Sequence, residues 1–261
     1  MVYCCIIIQQ YMDFIENGIF DIVIPVGPND ISVCRNQIKY TKLNVVGYRK
    51  IYIVSFDPTF KSNNCITINE NIFPFTKQDI VKHHGNTSRQ GWYLQQLIKL
   101  YAGIIIPGIL EKYLVIDADT FFIKPTKFIE NDKCLYNISN AYHKPYFEHM
   151  NVLHNTFSKQ IANVSGICHH MMFDTSCLKQ MFELVEKEHN DVFWNIFLKS
   201  VHIKDYEFSG ASEYELYFNY MLQYHKDKMN IRVLKWKEVG NVDDISVYND
   251  YDYVTCHWYW R

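Results

Sequence analysis

The sequence predicts an α/β domain on a central mixed, mainly parallel sheet, and three observations carry that expectation. Short apolar runs with β-branched residues end in polar turn clusters. Helical periodicities separate these runs. No Gly/Pro/Ser-rich linker, repeat or charged tail divides the 261 residues. Strands alternating with helices indicate a sheet covered on its faces, and this length suits one domain.

The elements follow in order. Asp21-Ile-Val-Ile-Pro25 is the first strand candidate, closed by the turn cluster Gly27-Pro28-Asn29-Asp30. Lys50-Ile-Tyr-Ile-Val-Ser-Phe56 alternates and stops at Asp57-Pro58, and Ile66-Thr-Ile68 is a third candidate. Over residues 88–102, Trp92, Leu94, Leu97, Ile98 and Tyr101 recur at helical spacing. Tyr113-Leu-Val-Ile116 then runs into Asp117-Ala-Asp119-Thr120. A strand over residues 164–173 precedes a helix over about 176–189, another helix opens near Ser212, and residues 252–259 are β-like. In such sheets ligands sit beyond the carboxyl ends of the strands. The clusters after Ile24, Phe56 and Ile116 are therefore where chemistry is expected.

Composition narrows the function classes. Lys plus Arg total 26 against Asp plus Glu 28, a net charge of −2, which lacks the basic excess of a nucleic-acid binder. A 48% hydrophobic content supports a core rather than disorder. No window supplies the roughly 18 uncharged apolar residues of a membrane span; residues 101–110 come nearest and contain Gly103, Pro107 and Gly108. The apolar run of residues 2–8 lacks a basic flank, so no signal peptide is expected. Eight cysteines without C-x-x-C spacing read as free thiols of a reducing, cytoplasmic compartment. The sequons at Asn86, Asn137 and Asn163 read as chance.

Asp117 and Asp119 are the sharpest feature. A buried strand delivers two carboxylates where pairing ends, and like charges so close repel unless a cation or donors intervene. A divalent metal does this and keeps positions open for water or phosphate oxygens. The plain alternative is a turn cap and a solvated side chain. Arg89, Gln96 and Lys99 fall at i, i+7 and i+10, along one helix face with Trp92. That face either meets phosphate charge or is simply solvated. Ser212-x-x-Glu215 has the form of a capping box, which occupies Glu215 and leaves Glu213 without a structural task. His257 stands alone in an aromatic segment, and His169-His170 follow Ser165-Gly166. Neither His83-His84 nor His169-His170 has a partner at zinc spacing, so zinc is not expected.

Residues 114–125, Leu-Val-Ile-Asp-Ala-Asp-Thr-Phe-Phe-Ile-Lys-Pro, resemble the Asp-x-Asp segment of GT-A glycosyltransferases. The preceding Arg89-x-Gly-Trp-Tyr-Leu-Gln-Gln-Leu-Ile-Lys-Leu100 resembles the helix of a glycosyltransferase-like family in that superfamily, and a looser likeness spans about 21–257. The resemblance implies a GT-A-like Rossmann-type sandwich. It implies a donor-binding half over about 21–125 and an acceptor-binding half over about 126–261. The activity it implies is metal-dependent transfer from a UDP- or GDP-sugar to a glycan or other hydroxyl acceptor. Mn²⁺ or Mg²⁺ would be held by Asp117, Asp119 and His257, with Asp119 the direct ligand and Asp117 on the ribose or a metal-bound water. Pro25, Asn29, Asp30, Arg89, Gln96, Lys99, Asp117, Ala118, His169 and His170 would surround the donor. Glu213 would be the general base of an inverting reaction, with Glu215 second to it. Two other readings share these carboxylates. One is a haloacid-dehalogenase-type phosphatase with Asp117 as nucleophile and Gly240-Asn-Val-Asp243-Asp244 as its downstream motif; Thr120-Phe121 and the earlier strands depart from that pattern. The other is a non-catalytic nucleotide-sugar binder of the same fold.

Overall fold

Every residue of the first strand, β1 (Phe20–Val26), is buried, as expected of a strand covered on both faces. The computed structural model describes residues 20–261; Cys4, Cys5 and the apolar run of residues 2–8 lie outside them. After β1 come α1 (Ile31–Asn44), β2 (Val45–Val46), β3 (Tyr48–Ser55), β4 (Ile66–Asn69), α2 (Lys77–His84) and α3 (Gln90–Ile105). Then follow β5 (Lys112–Ile116), β6 (Thr120–Phe122), β7 (Thr126–Lys127), β8 (Ile129–Glu130), β9 (Lys133–Asn137) and α4 (Lys144–Leu153). The last third holds β10 (His170–Asp174), α5 (Thr175–His189), α6 (Phe193–Lys199), α7 (Glu213–Tyr224), β11 (Met229–Arg232), β12 (Trp236–Glu238) and β13 (Tyr253–Thr255).

The central sheet has the order β10-β5-β1-β3-β4. Its β5, β1, β3 and β4 run parallel, and β10 pairs antiparallel with β5. This is the mixed, mainly parallel α/β sheet that the alternation of elements predicts. The chain passes from β1 to β3 and β4 on one side, then returns to place β5 on the other. The carboxyl ends of β1 and β5 thus flank the point where the strand order reverses. Because β10 is antiparallel, its first residue, His170, pairs with the last residue of β5, Ile116. The segment entering β10 therefore reaches the same edge as the carboxyl ends of β1, β3 and β5.

Helix α3 packs on β1, β5 and β10 and against α5 and α7. It buries Tyr93, Leu94, Gln96, Leu97, Ile98, Lys99, Leu100, Tyr101 and Ala102, so it is covered nearly all round. Its approach to the sheet depends on Gly103, where an added Cβ would lie 2.2 Å from Thr175 Oγ1 and 2.5 Å from the Tyr113 ring. Asp21 is buried within β1 and ties the sheet together. Its carboxylate accepts from Arg49 at 2.7 Å, from the Lys50 N–H at 3.1 Å and from the Leu110 N–H at 2.8 Å. Two three-stranded sheets, β11-β9-β8 and β12-β13-β6, flank the main one. The second covers a small core of Phe121, Val239, Val242, Ile245, Val254 and Cys256.

Some boundaries differ from the sequence expectation. Over residues 164–173 the strand begins only at His170; before it, Ser165 makes an isolated bridge to Ser139. The backbone there is engaged elsewhere, with Gly166 N–H on the Glu215 carboxylate and His169 C=O accepting from Asp117 N–H. Over residues 252–259 pairing stops at Thr255, and Trp258–Trp260 forms a 3₁₀ turn. The helix expected over 88–102 runs from Gln90 to Ile105. Helices α1, α2, α4 and α6 were not anticipated. No helix among the described residues is long and apolar enough to cross a membrane. Cys34, Cys65, Cys134, Cys168, Cys177 and Cys256 carry free thiols.

Candidate active site

At the reversal of strand order the carboxyl ends of β1, β3 and β5 open into a cleft of about 550 Å³. Crevices at such points are the usual ligand sites of open α/β sheets. Here the turn Asp117-Ala118-Asp119 leaves β5. It is held on three sides, by Asp117 N–H on His169 C=O (3.0 Å), Thr120 N–H on Asp117 C=O (3.0 Å) and Cys256 N–H on Asp119 C=O (2.9 Å). The two carboxylates are consequently fixed in separate surroundings.

Asp117 faces α3 and α7. Its Oδ1 lies 2.6 Å from Lys99 Nζ and accepts a hydrogen bond from Tyr214 Oη at 2.9 Å. Lys99 Nζ also lies 2.7 Å from Glu213 Oε1 and 4.3 Å from the centre of the Tyr214 ring. Burial disfavours the ammonium, yet the charges of Asp117 and Glu213 outweigh it and hold the Lys99 pKa above its ordinary value. For Glu213 burial dominates and raises the carboxyl pKa, Lys99 pulling against it and Asp117 adding to it.

Asp119 faces the chain's last segment. Its Oδ2 is 3.0 Å from His257 Nδ1, and Thr255 Oγ1 donates to Oδ1 at 3.4 Å. Burial would raise the Asp119 pKa, but the His257 hydrogen bond and the charges of His257, His169 and Arg261 hold it below the usual range. Burial opposes protonation of His257 in turn, and the Asp119 bond and charge, with Glu238, carry its pKa above the ordinary histidine value. His257 Nε2 points the other way, 3.7 Å from Glu238 Oε1. His169 stands beside them in the left-handed region at φ 61°, its ring centre 5.2 Å from that of His257. One ligand atom each of His169, Glu238 and His257 lies within 4.8 Å of the others. Carboxylates and imidazoles so grouped are a donor set that fits a divalent cation.

The remaining wall comes from the β1 loop and the start of α3. Pro25, Asn29 and Asp30 line the cleft. Asp30 accepts from Arg261 at 2.6 Å; burial raises its pKa, with repulsion from Asp119 adding to the effect. Arg89 lines the cleft, donates to Ser209 Oγ at 3.0 Å and lies over the Trp92 ring, pairing with no carboxylate among the described residues.

Of the residues singled out from sequence, Pro25, Asn29, Asp30, Arg89, Lys99, Asp117, Ala118, Asp119, His169, Glu213 and His257 meet in this cleft. Three do not. Gln96 is buried and accepts from the Glu213 N–H at 3.1 Å, so it caps α7 instead of facing solvent or phosphate. His170 is the first residue of β10 and sits among Phe122, Phe128 and Tyr253; burial drives its pKa well down. Glu215 is committed to Ser165 Oγ (2.6 Å), Gly166 N–H (3.1 Å) and Asn219 (3.1 Å). Ser212 does cap α7, its Oγ accepting from Glu215 N–H at 3.2 Å, but the return half of the capping box goes instead to the 165–166 segment. Glu238, Tyr214, Trp258 and Tyr259 were not anticipated. Tyr214 follows Glu213 directly, and Trp258 and Tyr259 follow His257, which are the local signals among them; Glu238 on a short strand carries none.

No curated protein sequence matches the chain. Among solved structures it is similar to the apo crystal structure of mouse xyloside xylosyltransferase 1, at 9% identity and a TM-score of 0.45, over 91% of this chain and 97% of that one. Residues 4–253 match DUF6492, described as a family of unknown function, and the chain belongs to that family.

Proposed function

We propose that the chain is a metal-dependent glycosyltransferase that moves a sugar from a nucleoside-diphosphate sugar to a hydroxyl acceptor with inversion. The observation that supports this most is the placement of Asp117 and Asp119 at the end of β5, where the strand order reverses, one bound to Lys99 and the other to His257. A divalent cation, Mn²⁺ or Mg²⁺, supplies charge to the leaving diphosphate in chemistry of this kind. In this reading the ion sits at the corner that the Asp119–His257 pair fixes. Asp117 keeps its place through Lys99 and Tyr214 and is available to a ribose hydroxyl. Arg89, with no carboxylate partner among the described residues, meets the diphosphate. Pro25, Asn29 and Asp30 frame the base and ribose. Glu213 at the cleft floor takes the acceptor proton, and its raised pKa brings it nearer a working range for a base.

The test is release of nucleoside diphosphate from UDP- and GDP-sugars in the presence of Mn²⁺. Asp119→Ala is expected to weaken metal-dependent nucleotide binding at least about ten-fold, the scale on which metal-site partners act. Unchanged binding in that variant overturns the metal assignment. Glu213→Gln is expected to keep nucleotide binding and lose transfer. Cleavage of an aryl phosphate in place of a nucleotide-sugar indicates a phosphatase; binding without turnover indicates a binder.

A further inference from the structure

We infer that the ion is held by two imidazoles and a glutamate, His169, His257 and Glu238, while Asp119 orients His257 and Asp117 stays on Lys99. Three observations carry this. The first is the division of labour within the His257 ring. Its Nδ1 is on Asp119 at 3.0 Å, which turns Nε2 toward Glu238 at 3.7 Å. A metal-bound histidine commonly gives its other ring nitrogen to a carboxylate, which fixes both tautomer and ring direction. The second is His169. It adopts a left-handed backbone that side chains other than glycine rarely take, and its buried Nδ1 has no hydrogen-bond partner. A non-glycine residue in that region is a strain that surrounding structure must sustain, and such strain gathers at functional sites. The third is proximity. Ligand atoms of His169, Glu238 and His257 fall within 4.8 Å of one another. Donors on one ion sit about 3–3.5 Å apart, given metal–ligand bonds near 2.1 Å. Glu238 is 44% exposed at its side chain, so it closes that gap by rotation without disturbing the core.

The donor set also selects the ion. Two imidazole nitrogens favour a divalent transition metal over Mg²⁺, which prefers oxygen donors. His169 and His257 line the cleft, so an ion held by them would border it. The ion's role there, as counter-charge to a diphosphate, rests on the reading of the cleft given above; its binding is measurable without that reading.

The experiment uses Mn²⁺ alone on the full chain, followed by calorimetry and by pulsed electron paramagnetic resonance. Wild type is expected to bind Mn²⁺ at least about ten-fold more tightly than Mg²⁺, with spin-echo modulation from two coordinated imidazole nitrogens. His169→Gln is expected to show one nitrogen. Both His169→Gln and the surface variant Glu238→Gln are expected to lose about ten-fold or more in affinity, while Asp117→Asn stays within about three-fold. A wild-type signal from a single nitrogen overturns the inference. So does wild-type affinity in either His169→Gln or Glu238→Gln, or the absence of Mn²⁺ binding. Two-nitrogen binding without turnover of any nucleotide-sugar sinks the transferase reading and leaves the ion site standing. Turnover in Mn²⁺ with normal binding by His169→Gln and Glu238→Gln does the reverse.

Discussion

Lys99 is buried between two carboxylates, and its removal leaves both without a cation. Breaking a buried ion pair from one side costs about 3–5 kcal/mol, because the abandoned charge is worse than no charge. Lys99→Met is therefore expected to lower stability by roughly that amount, read from the urea midpoint, and Lys99→Met with Glu213→Gln to recover part of it. A loss below about 1 kcal/mol in the single variant contradicts the buried pairing. At this scale the sequence was informative about residue type and strand end, which is why Asp117, Asp119, Lys99, Glu213 and His257 share one cleft. It was uninformative about direction. Helical spacing puts Arg89, Gln96 and Lys99 on one face, but α7 lies over that face, so Gln96 meets a helix terminus and Lys99 an ion pair. Glu215 read as a local cap because its partners, Ser165 and Gly166, lie 50 and 49 residues away. Long-range hydrogen bonds leave no periodic trace.

Helix α3 is the element that joins core to site. Its carboxyl-terminal half presses on β5 and α5 through Gly103, while its middle delivers Lys99 to the cleft. Gly103→Ala is expected to cost about 1–3 kcal/mol, as overpacking does, although alanine is the better helix former. The same change should shift Lys99 and, on the function proposed above, weaken nucleotide binding; a stabilised variant contradicts the close approach. The strands were legible because β1 and β5 are β-branched and end in turn chemistry. Helix α1 was not, since its buried stripe is Cys34, Gln37, Ile38 and Thr41, half of it polar. Gln37 Nε2 donates to Thr41 Oγ1 at 2.9 Å, so two polar side chains share the buried stripe and hide the amphipathic pattern. The late start of the strand within 164–173 has a related reason: beyond the single Ser165–Ser139 bridge, the Gly166 and Ile167 donors serve side chains, not a neighbouring strand.

For the molecule as a whole, acid should act through histidines that folding keeps neutral. Burial pushes His149 down to about 4, its bond to the Phe197 carbonyl opposing and His84 adding to the effect. His84 is lowered too, by burial first. The unfolded chain takes these protons near pH 6.5, so it binds more of them than the folded chain below that value. The stabilisation is present above about pH 6.5 and is lost as pH falls toward 4, about 3 kcal/mol for His149 alone. His149→Gln is expected to flatten the stability–pH curve in that window, measured by denaturant titration at each pH; an unchanged slope assigns acid sensitivity elsewhere. The near-neutral total charge of −2 has a counterpart in the cleft, where Asp30, Asp117, Glu213 and Asp119 face Arg261, Lys99 and His257. Those contacts also set an order of events in synthesis. Asp119 meets His257 across 138 positions and Asp30 meets Arg261 across 231. A nascent chain released only through β10 already holds every strand of the central sheet, yet the partners of Asp119 and Asp30 have still to follow. Loop closure over such spans is slow compared with local helix formation. The central sheet can therefore be assembled while Asp119 and Asp30 still lack their cationic partners, and the cleft acquires its charge balance only once His257 and Arg261 have been released.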